Sequence, residues 1–448
     1  MKIELIVPAT KMQRRRWRLA LCPSLAPAMI AALTPPDVEV SITDENVSVI
    51  EYDKGVDLVG ISAMTSTANR AYEIADSFRQ RGVTVVLGGI HPSILPDEAG
   101  RHADAVVIGE AELTWPRLVA DFKAGRLQKV YRQDERPALA GLPVPRRELY
   151  SRRYLIPNTI STTRGCPFNC SFCSVSLFSG RTYRCRPVDE VIKEIETLDR
   201  RRPIIFVDDN IVGKPAYAKE LFRALAPFRL KWMGQSSVNI ASDPELLSLA
   251  AASGCMGLLI GFESVSPASL AGMGKKINKV DEYETAIARL HASGIGIHGA
   301  FIFGLDEDDD SVFKRTVDFA KKTRLESVQF STAIPHPGTA FYKSLDEAGR
   351  ILTKDWSKYD SKVVFETRAF PQETLIKGTH WALKEFFSLR SISRRIGFSR
   401  RHALAWWAFN LFFYFHFRAA QAARRPVLRS CLTWGKDRLF WLREMIGI

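Results

Sequence analysis

The sequence predicts an α/β protein with two successive parallel sheets and a mostly helical C-terminal region. Two observations lead to this prediction. Short β-branched runs alternate with helical stretches along residues 1–331, and a proline-punctuated segment interrupts the alternation once, at 136–147. Alternation of this kind produces parallel strands covered by helices, and the break separates two domains. We expect a first domain at 1–135, a linker at 136–150, a second domain at 151–345 and a C-terminal region at 346–448.

The first domain contains five strand-like runs with helical stretches between them. The runs are short, apolar and β-branched, as expected of buried strands. They lie at 2–7, 38–43, 57–62, 83–87 and 105–108, with helices that include 69–81 and 111–123. Five such strands predict a doubly wound, Rossmann-like sheet, which binds its ligand at the carboxyl ends of the strands.

The second domain repeats the alternation six times. Its strand-like runs lie at 159–163, 204–208, 231–236, 257–261, 295–303 and 327–331, and its helices include 188–200, 215–225 and 283–293. Pro215 suits a first helical turn, where the missing N–H is not needed. Six right-handed units predict a partial (β/α)6 TIM-like barrel, with its active site at the carboxyl ends of the strands.

The C-terminal region carries most of the excess positive charge and an aromatic segment. The chain has a net charge of +14, and residues 390–448 contain twelve Lys or Arg against two acids. A helix over the aromatic segment 403–417 would span about 22 Å, too short for a ~30 Å hydrocarbon core. The segment therefore packs on the barrel or lies in a membrane interface, and both alternatives stay open. Because the basic residues are concentrated beside this segment, nucleic acid is a disfavoured partner. We expect a cytoplasmic protein, with peripheral membrane contact as the open alternative.

Three cysteines indicate the chemistry of the second domain. Cys166, Cys170 and Cys173 stand in a C-x3-C-x2-C spacing directly after its first strand. A four-iron cluster needs four ligands, so three thiolates leave one iron open to a small molecule. Disulfides are disfavoured because the seven cysteines are an odd number and no signal peptide opens the chain. Zinc, or a closed cluster with Cys185 as fourth ligand, remains a weaker alternative.

The cysteine motif, with Phe172 before its last cysteine, resembles the signature of radical S-adenosylmethionine enzymes. The resemblance implies a 4Fe–4S cluster on the three cysteines and S-adenosylmethionine on its open iron. Further strand ends resemble the family's cofactor-binding positions, including G-F-E-S at 261–264 and P-H-P-G-T at 335–339. The implied S-adenosylmethionine contacts are Phe172, Asp208, Asp209, Ser236, Glu263 and Gly304.

The first domain resembles the cobalamin-binding domain that precedes the barrel in B12-dependent members of this family. The residues alone are equally consistent with ordinary strand-to-helix turns, which every doubly wound sheet contains. The resemblance implies cobalamin contacts at Ser62, Thr65, Gly88, Gly89, Gly109 and Glu110. The D-x-H-x-x-G motif, whose histidine can bind the cobalt, is absent. The lower cobalt ligand is therefore open, with His91 and Arg70 as positions to inspect.

The resemblance implies a class B-like methyltransferase. We expect it to methylate an unactivated carbon of a small-molecule or lipid-like biosynthetic intermediate, through a 5′-deoxyadenosyl radical and methylcobalamin. A low-potential electron donor such as flavodoxin or ferredoxin would serve as partner. Cyclisation, ring contraction or oxidation without methyl transfer remains an alternative, and a non-catalytic cobalamin or cluster sensor is an alternative of another class.

Overall fold

The computed structural model describes residues 1–10, 21–133, 135–360, 362–397 and 402–422, without the side chains of 416–422. It contains two six-stranded sheets, and every strand pair within them is parallel. The α/β class predicted from the sequence is confirmed. The basic tail from residue 423 onward and most of the basic run after the first strand, at 11–20, lie outside the described residues.

The first sheet has the strand order β2-β1-β3-β4-β5-β6. Its strands are β1 (Lys2–Val7), β2 (Glu39–Asp44), β3 (Leu58–Ser62), β4 (Thr84–Gly88), β5 (Ala105–Ile108) and β6 (Val130–Arg132). The helices of this domain are α1 (Leu25–Leu33), α2 (Ala68–Arg79), α3 (Ile90–Ile94), α4 (Pro96–Ala99) and α5 (Thr114–Lys123). The sequence predicted five of the six strands. It missed β6 because this edge strand has three residues and buries only Tyr131.

The second sheet runs in simple sequential order, β14-β13-β12-β11-β10-β7. Its strands are β7 (Asn158–Ile160), β10 (Ile204–Phe206), β11 (Trp232–Ser236), β12 (Cys255–Glu263), β13 (Gly296–Phe303) and β14 (Ser327–Thr332). An antiparallel hairpin of β8 (Thr163–Arg164) and β9 (Arg184–Cys185) follows β7. The predicted strand at 159–163 is thus split. The split occurs because the N–H groups of Thr162 and Thr163 donate to the Asp208 carboxylate instead of continuing the ladder.

Most helices of the second domain cover the outer face of this sheet, whereas the first of them lies in the loop between β8 and β9. The helices are α6 (Val175–Phe178), α7 (Val188–Glu196), α8 (Pro215–Leu225), α9 (Pro244–Ala252), α10 (Pro267–Gly272), α11 (Tyr283–Ala292), α12 (Val312–Lys322) and α13 (Ala340–Glu347). Pro215 opens α8, as its position predicted. Fully buried aromatic side chains, among them Phe206, Trp232 and Phe262, fill the layer between sheet and helices.

The C-terminal region packs on both domains. It contains α14 (Gln372–Phe386), α15 (Leu389–Arg395) and α16 (Ala403–Ala422). Before α14, Trp356 and Tyr359 enter the core beside the first sheet, and the Trp356 indole donates to Glu98 at 2.8 Å. The stretch 353–360 therefore packs its two aromatic side chains against the first domain.

Helix α16 packs against the second sheet through one face. The Trp406 indole lies so close to Gly296 that a Cβ there would approach it to 2.6 Å, and the Asn410 amide donates to the Glu326 carbonyl at 2.8 Å. The described part of the chain has no helix long and apolar enough to cross a membrane. Because α16 buries Trp406 and Asn410, the barrel-packing alternative holds for this face. Leu404 and Phe415 on another face remain 79% and 63% exposed.

Candidate functional site

The three cysteines lie in one loop at the carboxyl end of the second sheet. The β8–β9 hairpin closes this loop at its base, and Thr163 pairs with Cys185 across the hairpin. Gly165 opens the loop at φ +90°, and a Cβ there would overlap the Thr182 carbonyl oxygen, so only glycine fits. The Ser171 N–H donates to the Met273 carbonyl at 3.0 Å, which anchors the loop between its second and third cysteines. We call residues 165–183 the cluster loop.

The chemistry of the donors in the cluster loop suits an iron–sulfur cluster. Cys166, Cys170 and Cys173 are free and half-buried, and burial raises the pKa of each thiol, that of Cys173 to about 11. Within the described ranges, no three Cys, His, Asp or Glu side chains converge on a single-ion site. A four-iron cluster does not require such convergence, because its cysteines bind separate irons. Cys185 packs against the hydrophobic core on β9 instead.

The two aspartates after β10 have different environments. Asp208 is 1% exposed, and its Oδ1 accepts from the backbone and hydroxyl groups of Thr162 and Thr163. Burial raises its pKa to about 6. Asp209 accepts from the Gly165 N–H at 3.2 Å and opens into a large cleft, whose walls enclose it enough to raise its pKa. Asp208 thus holds the start of the cluster loop, whereas Asp209 is available to a ligand.

Glu263 ends β12 in the left-handed region, at φ +62°, and pairs with Lys275. Both side chains are nearly buried, at 10% and 12% exposure. The charge of Lys275 acts on the Cys166 and Cys170 thiols and opposes the rise in their pKa that burial causes. Sequence reasoning missed Lys275 because it stands in a loop segment, G-M-G-K-K, with no recognised strand-end pattern. The one sequence feature that could have indicated Lys275 is its position twelve residues after Glu263.

The other expected S-adenosylmethionine positions lie at the same edge of the second sheet. Ser236 ends β11 with its hydroxyl turned to the Ser237 carbonyl, and Gly304 follows β13 at φ +92°. Phe172 lines a second cavity of about 1090 Å³, including its opening to solvent, together with Ile302 and His336. The expected S-adenosylmethionine positions therefore lie on one side of the barrel, at the carboxyl ends of its strands and beside the cluster loop.

A cleft of about 1490 Å³, including its solvent-open mouth, lies between the carboxyl edge of the first sheet and the cluster loop. A Cβ on Gly109 would meet no atom within 4 Å, so this part of the cradle is open. The floor reaches Gly60, and Trp115 lies below it. The small residues at the strand ends, Ser62, Gly88 and Gly109, leave the backbone accessible to a large ligand such as a corrinoid.

The expected cobalamin positions differ in their access to the cleft. Ser62, Gly88, Gly89, Gly109 and Glu110 line it. Thr65 is buried outside the lining, with its hydroxyl 3.4 Å from His91 Nδ1. The structure therefore brings five of the six positions together at the cleft.

Neither position inspected for a cobalt ligand faces the cleft. His91 is fully buried and shares Glu98 with the Trp356 indole. Arg70 forms ion pairs with Glu45 and Glu73. Both side chains are thus engaged within the protein.

Two families of known proteins match consecutive parts of the chain. Residues 160–320 match the radical SAM superfamily, and residues 20–119 match the B12 binding domain. The chain is 34% identical over 385 residues to the bacteriochlorophyllide d C-12(1)-methyltransferase of Chlorobaculum tepidum, covering 82% of this chain and 83% of that protein. It is 34% identical over 358 residues to the bacteriochlorophyllide d C-8(2)-methyltransferase of the same organism, covering 75% and 79%.

A solved structure has the same fold. It is the radical S-adenosylmethionine methyltransferase TsrM from Kitasatospora setae, with cobalamin and a 4Fe–4S cluster bound. The two structures superpose with a TM-score of 0.68 at 18% identity, over 94% of this chain and 99% of that chain. The likeness extends across both sheets and the region between them.

Proposed function

Because this chain belongs to the cobalamin-dependent radical S-adenosylmethionine enzymes, we propose that it methylates an unactivated carbon of a small molecule. The cleft carries the proposal. One cavity extends from Gly88 and Gly109 at the first sheet to Arg164 and Asp209 at the base of the cluster loop. A corrinoid in this cleft would lie between its own binding domain and the loop that would hold the cluster.

The cofactors and the protein have separate tasks in this proposal. When bound, the cluster with S-adenosylmethionine supplies a carbon radical, and cobalamin supplies a transferable methyl group. Cys166, Cys170 and Cys173 would hold the cluster. Lys275 would offset the negative charge of the thiolates, and Asp208 would hold the strand end from which the loop departs.

We propose a hydrophobic small-molecule or lipid-like substrate. By their names, the two relatives methylate bacteriochlorophyllide d. The second cavity beside Phe172 has apolar walls that include Leu305 and Phe341, and its polar groups include the paired Asp306 and Arg350. Such a lining suits an apolar body with few polar substituents.

An assay of the reconstituted enzyme tests the proposal. The enzyme is incubated with dithionite and with S-adenosylmethionine that carries a trideuterated methyl group. We expect release of 5′-deoxyadenosine and a product from a cell extract that has gained the labelled methyl group, both measured by mass spectrometry. A product of unchanged or lower mass would instead indicate cyclisation, ring contraction or oxidation. If no deoxyadenosine forms, the proposal of an enzyme fails and the result favours a non-catalytic sensor.

Two partners complete the proposal. A low-potential donor such as flavodoxin or ferredoxin would reduce the cluster. The exposed Leu404, Phe412 and Phe415 on α16, followed by the basic sequence 423–448, would contact an anionic membrane surface. Flotation with anionic liposomes tests this contact. Replacing Leu404 and Phe415 by Glu should abolish flotation while Trp406 keeps the helix packed; unchanged flotation would refute the contact.

A further inference from the structure

Four charged side chains connect the cluster loop to the corrinoid-binding domain. Glu110 and Glu112 follow β5 in the first domain, whereas Arg164 and Arg184 belong to the β8–β9 hairpin of the second. Arg164 donates to Glu110 at 2.8 Å and also pairs with Glu112, and Arg184 donates to Glu110 at 3.0 Å. We call these four residues the interdomain clasp.

The two arginines of the clasp are direct cross-strand neighbours in the antiparallel hairpin. Like charges in that position repel each other and destabilise the hairpin. Glu110 accepts from both guanidinium groups at once, so it offsets this repulsion. The hairpin that closes the cluster loop therefore depends on a carboxylate from the other domain.

The clasp is also shielded from solvent. The side chains of Glu110 and Glu112 are 3% and 7% exposed, and those of Arg164 and Arg184 are 23% and 16% exposed. The Arg184–Glu110 pair is bidentate, and shielded pairs with this geometry are stronger and more directional than surface pairs. Arg184 further donates to the Pro137 carbonyl at 2.7 Å, which ties the linker to the same point.

We propose that the interdomain clasp consists of positioning residues that set the distance and orientation between the cluster and the corrinoid. Arg164 stands two residues before Cys166, and Glu110 stands next to Gly109 in the wall of the cleft. A shift at the clasp would thus be transmitted to both cofactor sites. This inference rests on the proposed function in requiring both cofactors in one molecule, but it does not depend on which substrate is methylated.

Pulsed EPR on the full-length holoenzyme measures this geometry without a substrate. The reduced cluster speeds the spin relaxation of nearby cob(II)alamin, and this enhancement depends steeply on the distance between the two centres. In wild type we expect one relaxation component. In Glu110→Gln, which leaves the two arginines facing each other, we expect at least two components and an average enhancement lowered at least twofold.

A matched control separates the clasp from a general loss of buried charge. Glu194 is a fully buried carboxylate on α7 whose ion-pair partners, Arg147 and Arg186, lie in the linker and the second domain. Glu194→Gln removes a comparable charge without touching the first domain, so one component with wild-type enhancement is expected. Glu110→Asp keeps the charge and should retain a single component.

The outcomes distinguish the clasp from the simpler role of a corrinoid contact. If Glu110→Gln only weakens corrinoid binding and keeps one wild-type component, the inference is overturned while the proposed function stands. If wild type binds no corrinoid or shows no enhancement, the proposed function itself fails. Should Glu110→Gln not fold, Arg164→Gln removes both ion pairs that this arginine makes with the first domain, and a single wild-type component there would equally overturn the inference.

Discussion

The substitution Gly89→Ala tests how the corrinoid cradle is built. Gly89 has φ +95°, and a Cβ would lie 2.8 Å from the Ala63 carbonyl oxygen and 3.0 Å from Ser62 Oγ. The Ala63 N–H donates to the Gly88 carbonyl, and the Ala63 carbonyl accepts from the His91 N–H. The added methyl group therefore forces apart the two strand ends that form the edge of the cleft.

The cost of this substitution has two parts. Gly89 has ψ −171° as well, a backbone conformation that is essentially restricted to glycine and costs an alanine about 1–3 kcal/mol, and an overpacked contact costs about 1–3 kcal/mol more. We expect a loss of roughly 2–6 kcal/mol in the free energy of unfolding of the first domain. Because Ser62 moves with the strand end, we also expect at least about a tenfold loss in corrinoid affinity, equivalent to ~1.4 kcal/mol.

Two neighbouring glycines provide controls for this experiment. A Cβ on Gly88 would lie 3.7 Å from Val107 Cβ, an ordinary contact, so Gly88→Ala should change stability little. Gly109 has φ +83° with nothing within 4 Å of its Cβ, so Gly109→Ala isolates the backbone cost of about 1–2 kcal/mol. Thermal unfolding and titration with hydroxocobalamin, followed by absorbance, measure both effects. If Gly89→Ala is as stable as Gly109→Ala, the steric reasoning is wrong.

Four further predictions concern the second domain. Cys173→Ala should abolish 5′-deoxyadenosine release but leave hydroxocobalamin binding unchanged; a loss of both would contradict the separation of the two sites. The raised pKa of Asp208, about 6, stabilises the fold below about pH 4, and this contribution is lost as the pH rises through 6. On the order of 3 kcal/mol is involved, so the melting temperature of the cluster-free protein should fall between pH 4 and pH 7 in wild type and less in Asp208→Asn. Lys275→Gln should weaken the change that S-adenosylmethionine causes in the EPR spectrum of the reduced cluster, whereas Lys275→Arg should retain it; equal spectra would argue against a role for the charge. Trp406→Ala should cost about 3–5 kcal/mol, seen as a lower melting temperature, and an unchanged value would mean that α16 does not stabilise the barrel.

The sequence predicted most of the fold because its signals are local. Apolar β-branched runs specify buried strands wherever they occur, and eleven predicted runs correspond to strands of the two sheets. The run at 159–163 was predicted as one strand, but the structure splits it into β7 and β8. A distant carboxylate, Asp208, withdraws Thr162 and Thr163 from the ladder, and no local pattern reveals such a partner.

The interface between the domains could not be predicted in the same way. In the sequence, Glu110 is recognisable only as a residue that follows a strand end. This position led to its prediction as a corrinoid contact. Its partners Arg164 and Arg184 stand more than fifty residues away, on a hairpin that exists only once the cluster loop has folded. The packing of Trp356 against the first domain also involves a distant partner, because its indole donates to Glu98, 258 residues away.

The sequence by itself determined the chemistry of this protein. Three closely spaced cysteines define a donor set, and glycines at strand ends define where a large ligand can lie, because both properties belong to neighbouring residues. Only the tertiary structure decided which charges meet. It turned Thr65 and His91 into the interior, placed Lys275 beside the thiols, and joined the domains through Glu110. Pairing between charges is set by distance in space, and this distance depends on how both domains pack.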